Sequence, residues 1–447
     1  MRKTQQEEIN IMSNIDEIRN QFNSTPYYNC PLEDSPKNNR IQLYCHNMVN
    51  AFYLRDQQVI SSEGKIILDA GCGSGYKSLI LAEANPGAKI VGIDMSEKSV
   101  EIARERLKHH GFYNSEFHCM PIEKIPSLGI EFDYVNCDDV LYLVPGVTPV
   151  LKAFKSVLKL DGIIRANLHS SLQRQAFFRG QRIWGKLGLM DDAPVEEDNE
   201  IVRSVMRNLK DIVDLKKTTW HEPQSESIEW LGANYLLLGD TGFEIPDLFA
   251  FLRESNLEFI SMLNWPYWDL LKLFKNWDEL PMNLMFQLSE LSIEEQLHLH
   301  ELFHPKQRLL DFFCGHPQGD CTIVPVEKWT DEDWQQAQVH LHPQLRTEDL
   351  KEEAMTAIAE TRSLNFNDYL CIDPLSPSTI ESTALGTLLP LFDAPCSFLQ
   401  LLQRWQTLYP INPVTWEANT ETEATQQLQG VLIPLYESGH LLLESQE

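Results

Sequence analysis

Between residues 65 and 169 short apolar runs alternate with amphipathic stretches. The runs are KIILDA, KIVGID, EFHC, FDYVNC and GIIRANL; between them lie YKSLILAEA, SEKSVEIARERLKHHG and residues 148–158. The apolar runs are too short for buried helices, so they predict strands. The second stretch reads as a helix with marked ends. Ser96 is its N-cap, Val100, Ala103 and Leu107 form its buried face, Lys108 and His109 sit near the negative end, and Gly111 stops it. Strand–helix repeats with apolar strands predict an α/β class, a Rossmann-like parallel sheet covered on both faces.

The flanks follow other patterns. Ile11, Ile15, Ile18 and Phe22 form one helical stripe over residues 5–22. Pro26, Pro31 and Pro36 make 24–40 a loop, and residues 41–54 read as a second helix. After residue 170 the rhythm breaks. Residues 171–239 look like a helical insertion, because IPDLFAFLRES and LEFISML then resume the helix–strand alternation. Residues 265–312 read as helical again, with CTIVPV at 321–326 as the last sheet strand. The tail, 331–447, predicts helices near 347–361, 378–391 and 396–408, then a hairpin in VLIPLYESGHLLLES. Three units are expected: an N-terminal helical segment (1–60), an α/β domain (61–330) and a mainly helical C-terminal domain (331–447).

The first strand runs into Asp69-Ala-Gly-Cys-Gly-Ser-Gly75, which leads into a helix. Gly71, Gly73 and Gly75 permit a sharp bend and close approach of backbone to a ligand. Asp94 ends the next strand, placed to accept both hydroxyls of a ribose. The spacing is G-x-G-x-G, where dinucleotide sites use G-x-G-x-x-G, and an acid stands two residues before the first glycine. That acid repels a pyrophosphate but suits an ammonium. S-adenosyl-L-methionine has an amino-acid end, a ribose and no phosphate, so it is the expected cofactor, with S-adenosyl-L-homocysteine as product. Asp69, Gly71, Cys72, Gly73, Gly75, Asp94 and Met95 are the residues expected to hold it.

On these motifs residues 65–169 resemble the class I S-adenosylmethionine-dependent methyltransferase family. The resemblance implies that Cys137, Asp138 and Asp139, after the fourth strand, line the cofactor. Pro121 stands where the family commonly has an acid near the adenine, which leaves the backbone of Ile122, with Glu123 nearby. The family's NPPY motif is absent. Helices before the sheet often close over the cofactor in this family, which implicates Tyr44 and His46. A wider stretch, including YNCPLEDSPKNNRIQLYCHNMVNAFYLRDQQVI, GIIRANLHSSLQRQAFF and HPKQRLLDFFCGHP, resembles bacterial methyltransferases of a cyanobacterial type. LYESGHLLLES resembles the winged-helix regulatory tail of some bacterial protein methyltransferases.

Methyl transfer from a sulfonium releases a neutral group and needs no acid; it needs alignment and, for a hydroxyl or ammonium acceptor, a base. His169 and Asp138, after strands five and four, are the candidate bases; an orienting histidine and a cofactor-lining aspartate are the competing readings. Tyr142 suits either a wall of the pocket or a packing role. Trp265, Tyr267 and Trp268 suit either an acceptor pocket or core packing. His304, Cys314 and His316 fit no standard zinc spacing, so no metal is expected.

Composition adds exclusions. The 447 residues are 43% hydrophobic and carry a formal net charge of −28. Such acidity argues against a nucleic-acid partner, whose binding rests on Lys and Arg. The nine cysteines form no C-x-x-C pair, which argues against a zinc site or disulfide framework. No run of 18 apolar residues and no signal sequence occur, so a cytoplasmic protein without membrane contact is expected. The expected function is methyl transfer to a small metabolite. The alternatives are a protein side-chain methyltransferase that docks substrate on the C-terminal domain, and a non-catalytic cofactor-binding protein. The tail and the first helix are the candidate surfaces of a homodimer.

Overall fold

A computed structural model describes residues 30–445, apart from 223, 224, 226, 320–322, 373–377 and 413. The helix expected over 5–22 lies outside the described residues.

Five parallel strands form one half of the central sheet: β1 (Ile66–Ala70), β2 (Lys89–Asp94), β3 (Ser115–Cys119), β4 (Phe132–Cys137) and β5 (Leu158–Ser170). With β6 (Gly242–Phe243), β7 (Glu258–Met262) and β8 (Leu309–Gly315) the order is β3-β2-β1-β4-β5-β8-β7, and β6 pairs β5. β8 runs antiparallel to both neighbours. The chain winds outward from β1 in both directions, so β1 and β4 flank a topological switch point. Ligands bind in the crevice above such a point.

Helices α1 (Arg40–Cys45) and α2 (Met48–Asp56) precede the sheet, and α3 (Tyr76–Ala84), α4 (Glu97–His109) and α5 (Val147–Val157) connect its first strands. Ser96 caps α4 by accepting from the Ser99 N–H, as expected. The single helix expected over 41–54 is two. His46 interrupts it, and Asn47 starts α2 by accepting the Val49 N–H at 2.9 Å.

Between β5 and β6 the described residues form four α-helices, α6 (Gln175–Lys186), α7 (Glu196–Asn208), α8 (Asp214–Thr219) and α9 (Ile228–Asn234), with their own apolar core around Trp184, Val202, Met206 and Tyr235. α10 (Ile245–Ser255) returns to the sheet and packs against α5. α11 (Met282–Ser289) and α12 (Ile293–Phe303) lead to β8. The sequence expectation is corrected here. LLDFFCG is strand β8, not the end of a helical stretch, and Val326 in CTIVPV opens a short helical turn, not a strand. Six of the seven β8 residues are buried, and a strand covered on both faces loses the alternation that would identify it.

The C-terminal region has a separate core that includes Trp334, Val339, Leu350, Phe398, Trp405 and Leu428. Helices α13 (Asp331–Gln336), α14 (Glu348–Ala359), α15 (Ser382–Leu388), α16 (Phe398–Leu408) and α17 (Glu421–Glu437) surround a three-stranded sheet of β12 (Cys396–Ser397), β9 (Gln338–Leu341) and β13 (Leu441–Glu444). A two-stranded ribbon, β10 (Leu364–Asn365) with β11 (Thr379–Ile380), lies beside it. The expected terminal hairpin is instead the end of α17 followed by β13. Thr420 and Glu423 cap α17 reciprocally and start it well upstream of Pro434. No helix among the described residues is long and apolar enough to cross a membrane.

Candidate cofactor cleft

β1 delivers the chain to the glycine loop, which folds back on β2: the N–H groups of Gly71 and Cys72 donate to Ile93 O at 2.8 and 2.9 Å. Gly71 and Gly75 both have φ of +81°, a region that L side chains rarely occupy. A Cβ on Gly71 would lie 2.4 Å from Val140, and one on Gly75 would lie 2.6 Å from the Ala103 backbone. Gly71 therefore lets the loop pass under the β4 connection, and Gly75 lets α3 pack on α4.

Asp94 and Gly73 meet. Asp94 Oδ2 accepts the Gly73 N–H at 3.1 Å, and Oδ1 accepts the Ser96 N–H at 2.8 Å. Burial pushes the Asp94 carboxyl up, opposed by these backbone donors. Around them opens a cleft. One wall is Gly71, Cys72, Gly73 and Lys77; the second is Ile93 to Ser96 with Ser99; the third is Met120 to Glu123; the fourth is Asp138 to Val140 and Leu143 to Pro145. A backbone loop free of side chains, a carboxylate at the end of β2 and apolar walls formed by Met95, Met120, Ile122 and Leu143 fit a nucleoside with an amino-acid end. Of the expected cofactor residues, Gly71, Cys72, Gly73, Asp94, Met95, Ile122 and Asp138 line this cleft.

Four expected residues stand elsewhere. Asp69 is 2% exposed and lies behind the loop, accepting from Ser78 Oγ at 2.6 Å and Asn136 Nδ2 at 3.0 Å. Burial raises its carboxyl to about 6. It braces the loop and is not among the residues that line the cleft. Gly75 serves helix packing, and Cys137, the last residue of β4, is sealed in the apolar core. Tyr44 points away, into the C-terminal core, with its ring centroid 4.8 Å from that of His342. From the segment before the sheet it is His46 that reaches the site, with Nε2 3.0 Å from Asp138 Oδ2.

Beneath the cleft, polar side chains run across neighbouring strands. Asp69 on β1 and Asn136 on β4 are register partners, as are Asn136 and Arg165 on β5, and Asn167 and Asp311 on β8. Arg165 binds Asp311 with two hydrogen bonds, at 3.0 and 2.7 Å, and donates to Asn136 Oδ1 at 3.2 Å. Asn167 Nδ2 donates to Asp138 Oδ1 at 2.6 Å. Lys77, in the first turn of α3, forms ion pairs with Asp138 and, at 3.7 Å, with Asp139.

This layer surrounds the candidate bases with charge. Burial works to raise the Asp138 carboxyl, but Lys77, Arg165 and His46 together hold it well below the usual carboxylate range. Asp139 is likewise depressed: Arg308 and Lys77 outweigh burial and the neighbouring Asp138. Asp139 takes φ of +61°, fixed by its N–H to Asn167 Oδ1 at 2.9 Å and by Arg308 Nη2 at 2.8 Å from Oδ1. His169 is fully buried, stacked on Tyr142 with ring centroids 3.5 Å apart. Its Nδ1 donates to Asp240 Oδ1 at 2.6 Å, and its Nε2 accepts from Arg308 at 2.9 Å. Burial, chiefly, lowers it to about 4. These contacts favour the competing readings of both residues: Asp138 is engaged by His46, Lys77 and Asn167, and His169 is held between Asp240 and Arg308.

Sequence reasoning missed Lys77 and Arg308. Lys77 carried a signal, since a cation in the first turn of a helix opposes the helix dipole and calls for a reason. Trp268 and Tyr267 prove to be packing residues against His300. No group of three or more potential metal ligands occurs among the described residues.

Residues 61–227 match a family model described as a methyltransferase domain. The chain is 25% identical over 270 residues to an uncharacterized protein of a Synechococcus species, covering 60% of this chain and 63% of that protein. It is 32% identical over 120 residues to the ubiquinone biosynthesis O-methyltransferase of Coxiella burnetii, covering 27% of this chain and 49% of that one. The chain thus spans less than two thirds of each of these relatives. In fold it is similar to PKMT2 from Rickettsia typhi, solved in complex with AdoHcy: the TM-score is 0.57 at 14% identity, over 91% of this chain and 76% of that one.

Proposed function

We propose that this chain, which carries a class I S-adenosylmethionine-dependent methyltransferase domain, is an enzyme that moves the methyl group of that cofactor to a small acceptor. The observation that carries the reading is the meeting of Gly73 with Asp94 at the mouth of a cleft walled by Met95, Ile122 and Leu143. In the bound state the cofactor supplies an electrophilic methyl on a sulfonium. The glycine loop and Asp94 hold the nucleoside, and the β4 connection from Asp138 to Pro145 closes over it.

The acceptor side is built from ion pairs, with Asp138, Asp139 and Arg308 all engaged. Neither aspartate is poised to take a proton at neutral pH. Such a site suits an acceptor that is already ionised near neutral pH, such as a carboxylate or a phenol acidified by its ring substituents. The ubiquinone biosynthesis O-methyltransferases, to which residues of the domain are similar, are in keeping with this. A second cavity of about 430 Å3, lined by Phe243 and Phe251, shares the wall Leu143–Pro145 with the cofactor cleft and is the candidate acceptor chamber. A second reading, a protein side chain as acceptor, is favoured by the C-terminal domain, which packs against the turn that carries His46 into the site.

Two measurements test the proposal. Calorimetry with S-adenosyl-L-homocysteine should show binding to the wild type and a loss of about tenfold or more in Asp94→Ala, the order of one charge-assisted hydrogen bond or more. Labelled-methyl transfer in a lysate, with products sorted by mass, separates the acceptors. Label in small molecules supports the proposal, and label only in macromolecules replaces it with the second reading.

A further inference from the structure

Arg308 differs from the cations Lys77, Arg165 and Arg174. Their side chains are 13%, 3% and 1% exposed, and they pair with Asp138, Asp311 and Asp240. Arg308 donates to Asp139 Oδ1 at 2.8 Å, yet 43% of its side chain is exposed. It stands just before β8, where β5 ends: His169 is the register partner of Leu309, and the Arg308 carbonyl accepts the Ser170 N–H at 2.9 Å. That is the carboxyl edge of β5, where sheets of this kind receive their ligands. Beside it runs the β4 connection, whose Asp139 lines the cofactor cleft.

The second contact of Arg308 is with a group that brings no charge. His169 Nε2 accepts from Arg308 Nη1 at 2.9 Å. The Nδ1 of the same ring is committed to Asp240, and Asp240 is also held by Arg174 and Gln181. A ring that donates from one nitrogen and accepts at the other is neutral, and a pKa lowered to about 4, chiefly by burial, keeps it so. His169 therefore fixes the plane of the guanidinium without cancelling its charge. Tyr142, stacked on His169, also donates to Asp139 Oδ1, at 3.2 Å, so Arg308 shares that oxygen with a second donor. An oriented and partly exposed guanidinium is the geometry that takes a carboxylate or a similar oxyanion.

We infer that Arg308 is the receptor for a negatively charged oxygen of the acceptor, which makes the acceptor an oxyanion at neutral pH and not a neutral hydroxyl or an amine. The inference rests on the proposed transfer to a small acceptor and deepens it. An oxygen lone pair of the anion forms the new bond to the methyl carbon. The carbon–sulfur bond breaks with its electron pair going to sulfur, and no proton is released. Anion and sulfonium lose their charges in the same step, so Asp138, Asp139 and His169 have no proton to receive. Arg308 holds the anion in place, and His169 is the positioning residue behind it.

The test uses the full-length protein, S-adenosylmethionine labelled in its methyl group and a lysate filtered to small molecules. The filtrate is passed over an anion exchanger at neutral pH. Transfer should follow the retained fraction and be absent from the flow-through. Arg308→Gln should raise the amount of that fraction needed for half-maximal transfer about tenfold or more, the order of a charge-assisted pair, while calorimetry shows S-adenosyl-L-homocysteine binding retained. Arg308→Lys should recover part of the loss, since it returns the charge without the planar fork. Mild alkali then separates the two sources of the anion: the methyl ester of a carboxylate gives up its label as methanol, and the methyl ether of a phenolate keeps it. Transfer carried by the flow-through overturns the inference, and so does an Arg308→Gln protein that transfers as the wild type does. A variant that loses S-adenosyl-L-homocysteine binding in step with transfer also overturns it, by making Arg308 a support of Asp139. Label only in the macromolecules of the unfiltered lysate is a different failure, that of the small-acceptor reading itself.

Discussion

Arg165 shows why the polar layer under the cleft is rigid. It is 3% exposed and neutralises Asp311 while standing 3.7 Å from Asp138. Burying a guanidinium and a carboxylate costs several kcal/mol each, so the pair is stable only because each partner is fully matched. Arg165→Met should therefore cost roughly 3–5 kcal/mol by leaving Asp311 uncompensated, read as a lowered urea midpoint. Replacing Arg165 and Asp311 together by apolar residues should cost less than Arg165→Met alone, because no orphaned charge remains.

The same burial makes the site acid-sensitive through His169. Its pKa lies at about 4 in the folded protein against 6.5 as its ordinary value. Between these values the unfolded chain binds more protons than the folded one, so stability rises with pH across the window. The contribution is fully present above about pH 6.5 and is lost as pH falls toward 4. His46, also lowered to about 4 by burial, acts in the same direction. His169→Gln should flatten the fall in stability by up to about 1.4 kcal/mol per pH unit, measured as denaturation midpoints at several pH values. A slope equal to wild type would mean that His169 is not buried in its neutral form.

Among the elements, the contact between α3 and α4 positions the glycine loop. Gly75 is the closest approach, and Arg106 of α4 donates to Ser74 O at 3.0 Å and to the carbonyls of Pro31 and Cys30. Gly75→Ala meets both a positive φ and the Ala103 backbone, and overpacking of this kind costs roughly 1–3 kcal/mol. The expected result is a lower urea midpoint together with weaker binding of S-adenosyl-L-homocysteine, since the loop would be pushed off β2. This is the part of the molecule most legible in the sequence. The strands β1 to β5, the Ser96 cap and the Gly73–Asp94 meeting follow from local pattern, because a βαβ unit places its first two strands side by side. The polar layer was hidden for the opposite reason. Asp69, Asn136, Arg165 and Asp311 lie on four strands far apart in the chain, and only the sheet order brings them into line. β8 was hidden because Leu310, Phe312 and Phe313 are all buried, which erases the period of two. Tyr44 was misplaced because a buried aromatic on a helix says nothing about which of two cores it enters.

At the scale of the whole molecule the two cores meet at the turn between α1 and α2, which also touches the cofactor cleft. Tyr44 packs into the C-terminal core against His342, and Asn50 accepts from His342 Nε2 at 2.7 Å while donating to Tyr44 O at 2.8 Å. Tyr53 adds a clamp, exchanging two 2.8 Å bonds with the backbone of Leu443 on β13. On the other side of the same turn, His46 O accepts from Asn85 Nδ2 at 2.8 Å and the His46 ring reaches Asp138. Seven residues, 44 to 50, thus connect the C-terminal domain to the carboxylate that anchors Lys77. A chain of packed and hydrogen-bonded groups of this kind can carry coupling between sites, and an element fixed at both ends is placed to pass on a disturbance at one of them. His342→Ala removes a ring that is fully buried, with burial lowering its pKa to about 3, and that does not line the cofactor cleft. It should loosen the turn, seen as faster hydrogen exchange at residues 44–50. It should also weaken S-adenosyl-L-homocysteine binding several-fold, on the order of 1 kcal/mol of coupling. A His342→Ala protein that melts earlier but binds S-adenosyl-L-homocysteine as the wild type does would show that the turn ties the domains together without reaching the site.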